Sequence, residues 1–430
     1  MEMKKYKLGE IATVEISGVD KKRKENETPV KLCNFTDVYH NWAITKDMED
    51  SFMDATASEK EIKTFSLKKG QVAFTKDSET RDDIGIPTYI ADNFEDVLLG
   101  YHTALITPDK TKLNGKYLNA FMNSKYIQKY FENNASGSGQ RYTLSNDTLN
   151  SIPIIIPNLT KQKVVGNFFS NIDKKIALNK KINAKLEAMA KRLYDYWFVQ
   201  FDFPNEEGKP YKTSGGKMVW NEVLKRNIPE GWEVGKMSSV IKQINTGLNP
   251  RDNFILGNGK IKYVTVKNLT EEGHIDFSNC DLVNSEAQKI IHERSQIQKG
   301  DILFASICPL GRCYLIQDSP EDWDINESVF SIRPNIDRIT SEFLYTLLRE
   351  AYYVKKMTQK ATGSIFKGIR INDIEKIEIV LPPKEVINAF SKKTLPIFNY
   401  QLTIQKEIQK LTELRDRLLP LLMNGQVEVE

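Results

Sequence analysis

Ala135–Asn146 reads "ASGSGQRYTLSN", and Ala361–Asn372 reads "ATGSIFKGIRIN". Both open on a small residue, a hydroxyl residue and Gly-Ser. Both then carry a basic residue and run into Asn-Asp (Asn146-Asp147 and Asn372-Asp373). They lie 226 positions apart in a chain of 430 residues. Working outward, the flanks match in order as well. "LGEI" (Leu8–Ile11) answers "VGKM" (Val234–Met237), and "VKLCNFTDV" (Val30–Val38) answers "IKYVTVKNL" (Ile261–Leu269). "LKKGQVAFTK" (Leu67–Lys76) answers "IQKGDILFAS" (Ile297–Ser306). "GKYLNAFMNSKYIQKY" (Gly115–Tyr130) answers "SEFLYTLLREAYYVKK" (Ser341–Lys356), and "LNSIPIIIP" (Leu149–Pro157) answers "IEKIEIVLP" (Ile374–Pro382). Offsets drift only from 225 to 231, as small loop insertions produce. The chain reads as a tandem duplication, the repeat signature that decides a fold before any local detail.

Each copy contains short apolar or alternating runs that predict strands: Val72–Phe74, Leu98–Ile106, Ile302–Ala305 and Ile377–Leu381. Tyr117–Phe131 and Phe343–Met357 carry apolar residues at helical spacing and predict one amphipathic helix per copy. A long helix is expected after each. Val165, Phe168, Ile172, Ile176, Ile182, Leu186, Met189 and Leu193 step by threes and fours, with polar Asn179 filling one turn. Ile397, Ile404, Ile408, Leu411, Leu414, Leu418 and Leu421 do the same. This is the heptad seam of a coiled coil, and the nearest partner for each helix is the other. A helix of roughly 39 residues would be ~58 Å long. Pro396 is expected to break or kink the second helix, with Pro420 and Gly425 marking its end.

The expected fold class is therefore α+β: two mixed α/β domains joined by two long helices in an antiparallel coiled coil, with a pseudo-two-fold internal repeat. The expected boundaries are 1–157 (first domain), 158–200 (first long helix), 201–228 (connector), 229–383 (second domain) and 384–430 (second helix and tail). The connector is rich in Gly, Pro and Lys and lacks periodicity. Antiparallel pairing would set two binding heads at opposite ends of a rod.

Chemistry-bearing motifs are absent where an enzyme would need them. The sequence has no GxxxxGK[ST], no GxSxG and no HExxH, and "GNGK" (Gly257–Lys260) does not extend to GxGxxG. An Asn-Pro-Pro-aromatic or Asp-Pro-Pro-Tyr motif is also lacking. The four histidines (His40, His102, His274, His292) are scattered, and Asp82-Asp83 reads as a solvated turn. Cys33, Cys280, Cys308 and Cys313 show no zinc spacing and read as reduced thiols. No catalytic residue, metal ligand or cofactor of the chain's own is expected. No apolar run is long enough for a membrane span and no signal-type segment opens the chain, so a cytoplasmic protein is expected.

The net charge of +4 is small, so the distribution of basic residues matters more than their sum. Candidate DNA contacts in the first copy are Lys21, Lys22, Arg23 and Lys24, then Lys76, Arg81, Arg141 and Tyr142. In the second they are Asn249, Arg251, Asn253, Lys267, Arg312, Lys367 and Arg370. Lys and Arg neutralise phosphates, while Arg, Asn and Gln read base edges. Each also has an ordinary reading as a solvated surface residue. The coiled-coil seam is expected at Ile172, Ile176, Ile182, Leu186, Met189, Leu193, Ile404, Ile408, Leu411, Leu414 and Leu418. The Gly-Ser loops themselves fit either a structural turn or an anion cradle.

"KRLYDYWFVQFDFP" (Lys191–Pro204), "GKPYKTSGGKMVWNEVLKRNIPEGWEVGKM" (Gly208–Met237) and "LRDRLLPLLMNGQVEV" (Leu414–Val429) complete the pattern. With them the whole chain resembles the specificity subunit of type I restriction-modification systems. The resemblance implies two target-recognition domains, each binding one half of a split double-stranded DNA target, with helices that set the gap. It implies two methyltransferase subunits that methylate a flipped adenine with S-adenosylmethionine, and restriction subunits that use ATP and Mg2+. The chain itself would be non-catalytic. The competing readings are a structural adaptor that binds proteins through two heads and a divergent methyltransferase or nuclease.

Overall fold

The computed structural model describes residues 3–429 apart from 138–139 and 364–366. The chain forms two compact units, Met1–Leu178 with Ile408–Glu430, and Asn179–Glu407. Each unit thus holds one globular head and a stretch of both long helices.

In the first unit a five-stranded sheet runs in the order Ala12–Ile16, Thr103–Pro108, Val72–Thr75, Pro87–Ile90, Ala43–Ile44. A three-stranded sheet sets Thr28–Cys33 between antiparallel Met53–Ala57 and parallel Val97–Leu99. Lys4–Lys7 pairs antiparallel with Pro153–Ile156, closing the head just before the long helix begins. The second unit repeats these pairings, except that among the described residues its main sheet has four strands and no counterpart of Ala43–Ile44. Val329–Pro334 lies between Ile241–Thr246 and Ile302–Ala305. Ile261–Val264 lies between antiparallel Asp281–Val283 and parallel Trp323–Ile325. Glu233–Lys236 pairs with Glu378–Leu381. The duplication read from the sequence is a duplication of strand order and direction.

The single helix expected in each head is two. Gly115–Met122 is followed by Lys125–Asn134, and Ser341–Arg349 by Ala351–Lys360. The breaks fall where Ser124 and Glu350 adopt extended backbone as N-caps; Glu350 accepts hydrogen bonds from the backbone N–H groups of Tyr352 and Tyr353. Apolar spacing is blind to such a restart, because the buried stripe continues across it. Leu98–Ile106 is likewise two strands, parted by a turn at Gly100–His102 in which His102 has φ +70°.

The first long helix spans Leu159–Tyr194 and runs into a π-helical turn, Asp195–Val199. The second spans Lys384–Met423. The break expected at Pro396 is absent: the helix runs unbroken from Lys384 through it. Pro396 and Lys392 both lie on the exposed side, so the carbonyl that the proline leaves without a donor can be hydrated. Gly425 ends the helix with φ +68°.

The buried line of the first helix departs from the expected seam. Ile172 and Ile176 are buried, but Met189 is 55 % exposed, and Ile182, Leu186 and Leu193 are only half-buried. From Ile172 onward the buried positions are Ile172, Ile176, Asn179, Asn183, Ala190 and Tyr194. The buried line thus runs through Asn179, as its spacing implied, and through a second amide, Asn183, that hydropathy skips. On the second helix Ile404 and Ile408 are buried, and Leu411, Leu414 and Leu418 are half-buried. Within each unit the two helices run antiparallel. In the first, Lys161 Nζ pairs with Glu428 at 2.9 Å. In the second, Asn179 Nδ2 donates to Glu407 Oε2 at 2.9 Å and Gln401 Nε2 donates to the Asn183 carbonyl at 3.4 Å.

Leu419, Leu422 and Met423 of the second helix join Tyr117, Phe131 and Phe169 in the first unit's core. In the second unit the core is aromatic: Tyr194, Trp197, Phe198, Phe343 and Phe390 pack together, with Phe198 and Phe343 edge-to-face at 4.7 Å. Phe201, Phe203 and Trp232 extend that cluster, and Met218–Asn221 pairs with Arg226–Pro229 as a hairpin. The 201–228 segment is therefore folded onto the core of its unit. Its aromatic residues are too irregularly spaced to register as an element.

Candidate nucleic-acid interface

In the first head the central strand Val72–Thr75 runs on past its sheet. Asp77–Ser78 pairs with Tyr142–Thr143, which pairs in turn with Ser136–Gly137. The quoted Gly-Ser loop is thus a hairpin laid against the extended central strand. A Cβ on Gly137 would stand 2.2 Å from the Arg141 carbonyl oxygen, so only glycine closes this hairpin. In the second head Thr362 bridges to Gly368, and Gly368 to Ile307 beyond the strand Ile302–Ala305. Cys308 N–H donates to the Lys367 carbonyl at 2.8 Å, and Ile369 N–H to that of Ser306 at 2.8 Å. Ser138 and Gly139 of the first loop, and Ser364, Ile365 and Phe366 of the second, lie outside the described residues. The two hairpins occupy equivalent places, which accounts for the repeated sequence.

These hairpins gather part of the candidate set. The exposed Arg81 guanidinium lies over the Tyr142 ring at 4.9 Å, beside exposed Arg141. This is a cation–π stack that holds both side chains at the surface. Lys76 is different: its side chain is 13 % exposed, and Nζ lies 2.6 Å from Asp77 Oδ1 and 3.2 Å from Thr143 Oγ1. It is a strut of the hairpin, with its charge already matched. Burial opposes ionisation of Asp77, but hydrogen bonds from Lys76, Thr143 and His102 outweigh it and hold the carboxyl below its usual range. In the second head Lys367 and Arg370 are exposed on the hairpin.

The other candidates lie elsewhere in their heads. Lys21, Lys22, Arg23 and Lys24 are exposed in the loop after Ala12–Ile16. Arg23 pairs with Asp54 at 3.2 Å, and Lys24 lies 3.4 Å from Glu27 and 3.9 Å from Asp20, so acidic neighbours cancel half of this tetrad. The equivalent loop of the second head carries half-buried Asn249 and exposed Arg251 and Asn253, with Asn253 Nδ2 donating to the Asn249 carbonyl at 3.0 Å. In the same loop Ile255 is 77 % exposed. Lys267 pairs with Asp281 at 3.6 Å, and Arg312 with Glu271 at 3.2 Å.

Two further residues belong to the first hairpin: Asp77 itself and His102, whose Nδ1 lies 2.5 Å from Asp77 Oδ2. Tyr101, half exposed, stands beside the His102 ring at 3.8 Å between centroids. Gly100 was the sequence signal for this turn, hidden inside an apolar run. Burial pushes the Cys313 thiol up to about 12 and the Cys280 thiol up to about 11, and raises Cys33 as well, while Cys308 is exposed. Among the described residues no His, Cys, Asp and Glu group is placed to hold a metal ion, and no helix is long and apolar enough to cross a membrane.

Known proteins match this architecture along the whole chain. The family described as "Type I restriction modification DNA specificity domain" matches residues 1–188 and again 229–414, the two copies of the duplication. The MjaIX specificity subunit of Methanocaldococcus jannaschii is 28% identical over 408 residues, covering 94% of this chain and 86% of that protein. The HindI specificity subunit of Haemophilus influenzae is 24% identical, covering 84% and 87%. The crystal structure of a type I restriction-modification S subunit from M. genitalium shares the fold, with a TM-score of 0.56 at 16% identity over 98% of this chain and 96% of that one. The chain belongs to the DNA specificity subunits of type I restriction-modification systems.

Proposed function

We propose that each head reads one half of a split DNA target with the surface built by its hairpin and extended central strand. The supporting observation is the recurrence of one hairpin-on-strand arrangement in both units, from sequences that share little beyond Gly-Ser. In this reading Arg81, Arg141 and Tyr142 contact one half-site, and Lys367 and Arg370 the other. The loops at Lys21–Lys24 and Asn249–Asn253 supply flanking phosphate and base contacts. The tetrad contributes less than its count of cations, because Arg23 and Lys24 are already paired.

The chain binds and orients while partners do the chemistry. Two methyltransferase subunits bring S-adenosylmethionine, and restriction subunits bring ATP and Mg2+. A cytoplasmic site of action follows from that assembly. The test is binding and methylation by the purified chain with its methyltransferase partner on duplexes altered in one half-site at a time. The reading predicts that either half alone fails to direct methylation. A contiguous target, or methyl transfer by the isolated chain, would refute it.

A further inference from the structure

We propose that Asp77 is a specificity-positioning residue for the first head alone, fixing the hairpin that carries Arg141 and Tyr142. This inference rests on the reading of that hairpin as a DNA-contacting surface.

Asp77 is 6 % exposed and ties three separate segments together. Its backbone pairs with Thr143 of the hairpin. Its carboxylate takes Lys76 Nζ on Oδ1 at 2.6 Å and His102 Nδ1 on Oδ2 at 2.5 Å. Lys76 reaches on to the Thr143 hydroxyl at 3.2 Å, so the same charge cluster holds the hairpin through a side chain as well. His102 sits at φ +70°, a conformation unfavourable for a residue with a Cβ, and its bond to Asp77 helps to hold it there.

Among the described residues the second head has no such cluster at the equivalent place. Its hairpin is held by Ile307 pairing with Gly368, by the Cys308 and Ile369 backbone bonds, and by Ser306 Oγ donating to the Ser328 carbonyl at 2.7 Å. The two heads thus use one geometry with different fastenings, one ionic and one neutral. Removing the Asp77 charge leaves the Lys76 ammonium buried without its partner, which a folded chain relieves by moving the lysine. That movement releases Thr143, and with it the Tyr142 ring on which Arg81 stacks.

The experiment uses the full chain with its methyltransferase partner and three duplexes: the methylated target, and versions with one or the other half-site scrambled. Binding is measured across a salt series for Asp77→Asn and Thr143→Val. Asp77→Asn is expected to cut discrimination at one half-site by about tenfold or more. Discrimination at the other half-site should stay within about twofold, and the slope of log K against log salt should be unchanged because phosphate contacts persist. Thr143→Val, which removes only one hydroxyl, should give a smaller loss at the same half-site, so a misfolded Asp77 variant does not end the test. Unchanged discrimination in both variants overturns the assignment, as does equal loss at both half-sites or a slope that falls together with specificity. An unaltered chain that discriminates at neither half-site overturns the DNA reading, and this inference with it.

Discussion

Asn183 offers a test of how the helix pair is built. Its side chain is 3 % exposed, and neither Oδ1 nor Nδ2 has a hydrogen-bond partner among the described residues. A buried amide left unpaired costs about 1–3 kcal/mol. Leucine has the same branching at Cγ, so Asn183→Leu removes that cost with little change of shape. The Gln401 amide keeps its bond, because it donates to the backbone carbonyl of residue 183. Stabilisation of about 1–3 kcal/mol is therefore expected, and in a unit of this size roughly 2–4 °C of Tm for each kcal/mol. Asn179, four residues earlier, should behave oppositely. It is as deeply buried but donates to Glu407 Oε2 at 2.9 Å, so Asn179→Leu strips a carboxylate of a donor and should cost about 1.5–3 kcal/mol. Urea and thermal unfolding of both variants read the two signs directly. Loss of stability on Asn183→Leu, or the same sign for both, refutes the reasoning.

Arg141→Ala and Lys367→Ala should each weaken binding by about 1–3 kcal/mol if they read bases, each on a different half-site in a one-half-scrambled duplex assay; unchanged affinity reduces the two loops to turns. The folded Asp77 carboxyl lies below its usual range, so the folded state binds its proton less readily than the unfolded state. Its contribution is complete above about pH 4 and disappears as pH falls through the lower folded value. Stability curves of the native chain and Asp77→Asn should therefore converge below that pH, and parallel curves contradict the assignment. Inserting seven residues into the first long helix should change the preferred gap or abolish activity while leaving both half-sites intact; a changed half-site sequence counts against separate heads.

The duplication was legible in the sequence because strand and helix patterns recur with the same landmarks, and Gly137 keeps its place for a steric reason. Other features were not. Asn179 was placed on the seam by its spacing, but Asn183 also occupies the buried line of the first helix, where a search for apolar residues steps aside to Ile182 and Met189. Ser124 and Glu350 restart a helix without disturbing its buried stripe. Phe201, Phe203 and Trp232 pack as a cluster from positions with no period. At the candidate interface, loop position and residue type proposed Arg81, Arg141 and Tyr142, which the structure places together. It could not show that Lys76 is already matched by Asp77, nor that His102 turns back to meet the same carboxylate. Those are tertiary facts, set by where the central strand ends.

Methylation mapping of DNA from cells expressing this chain with its methyltransferase partner tests the central claim most directly, especially when repeated after residues 1–157 are exchanged for another family member's first head. A split motif is expected, in which the exchange replaces one half and preserves the other half and the gap. A contiguous motif, or an exchange that alters both halves, would contradict it.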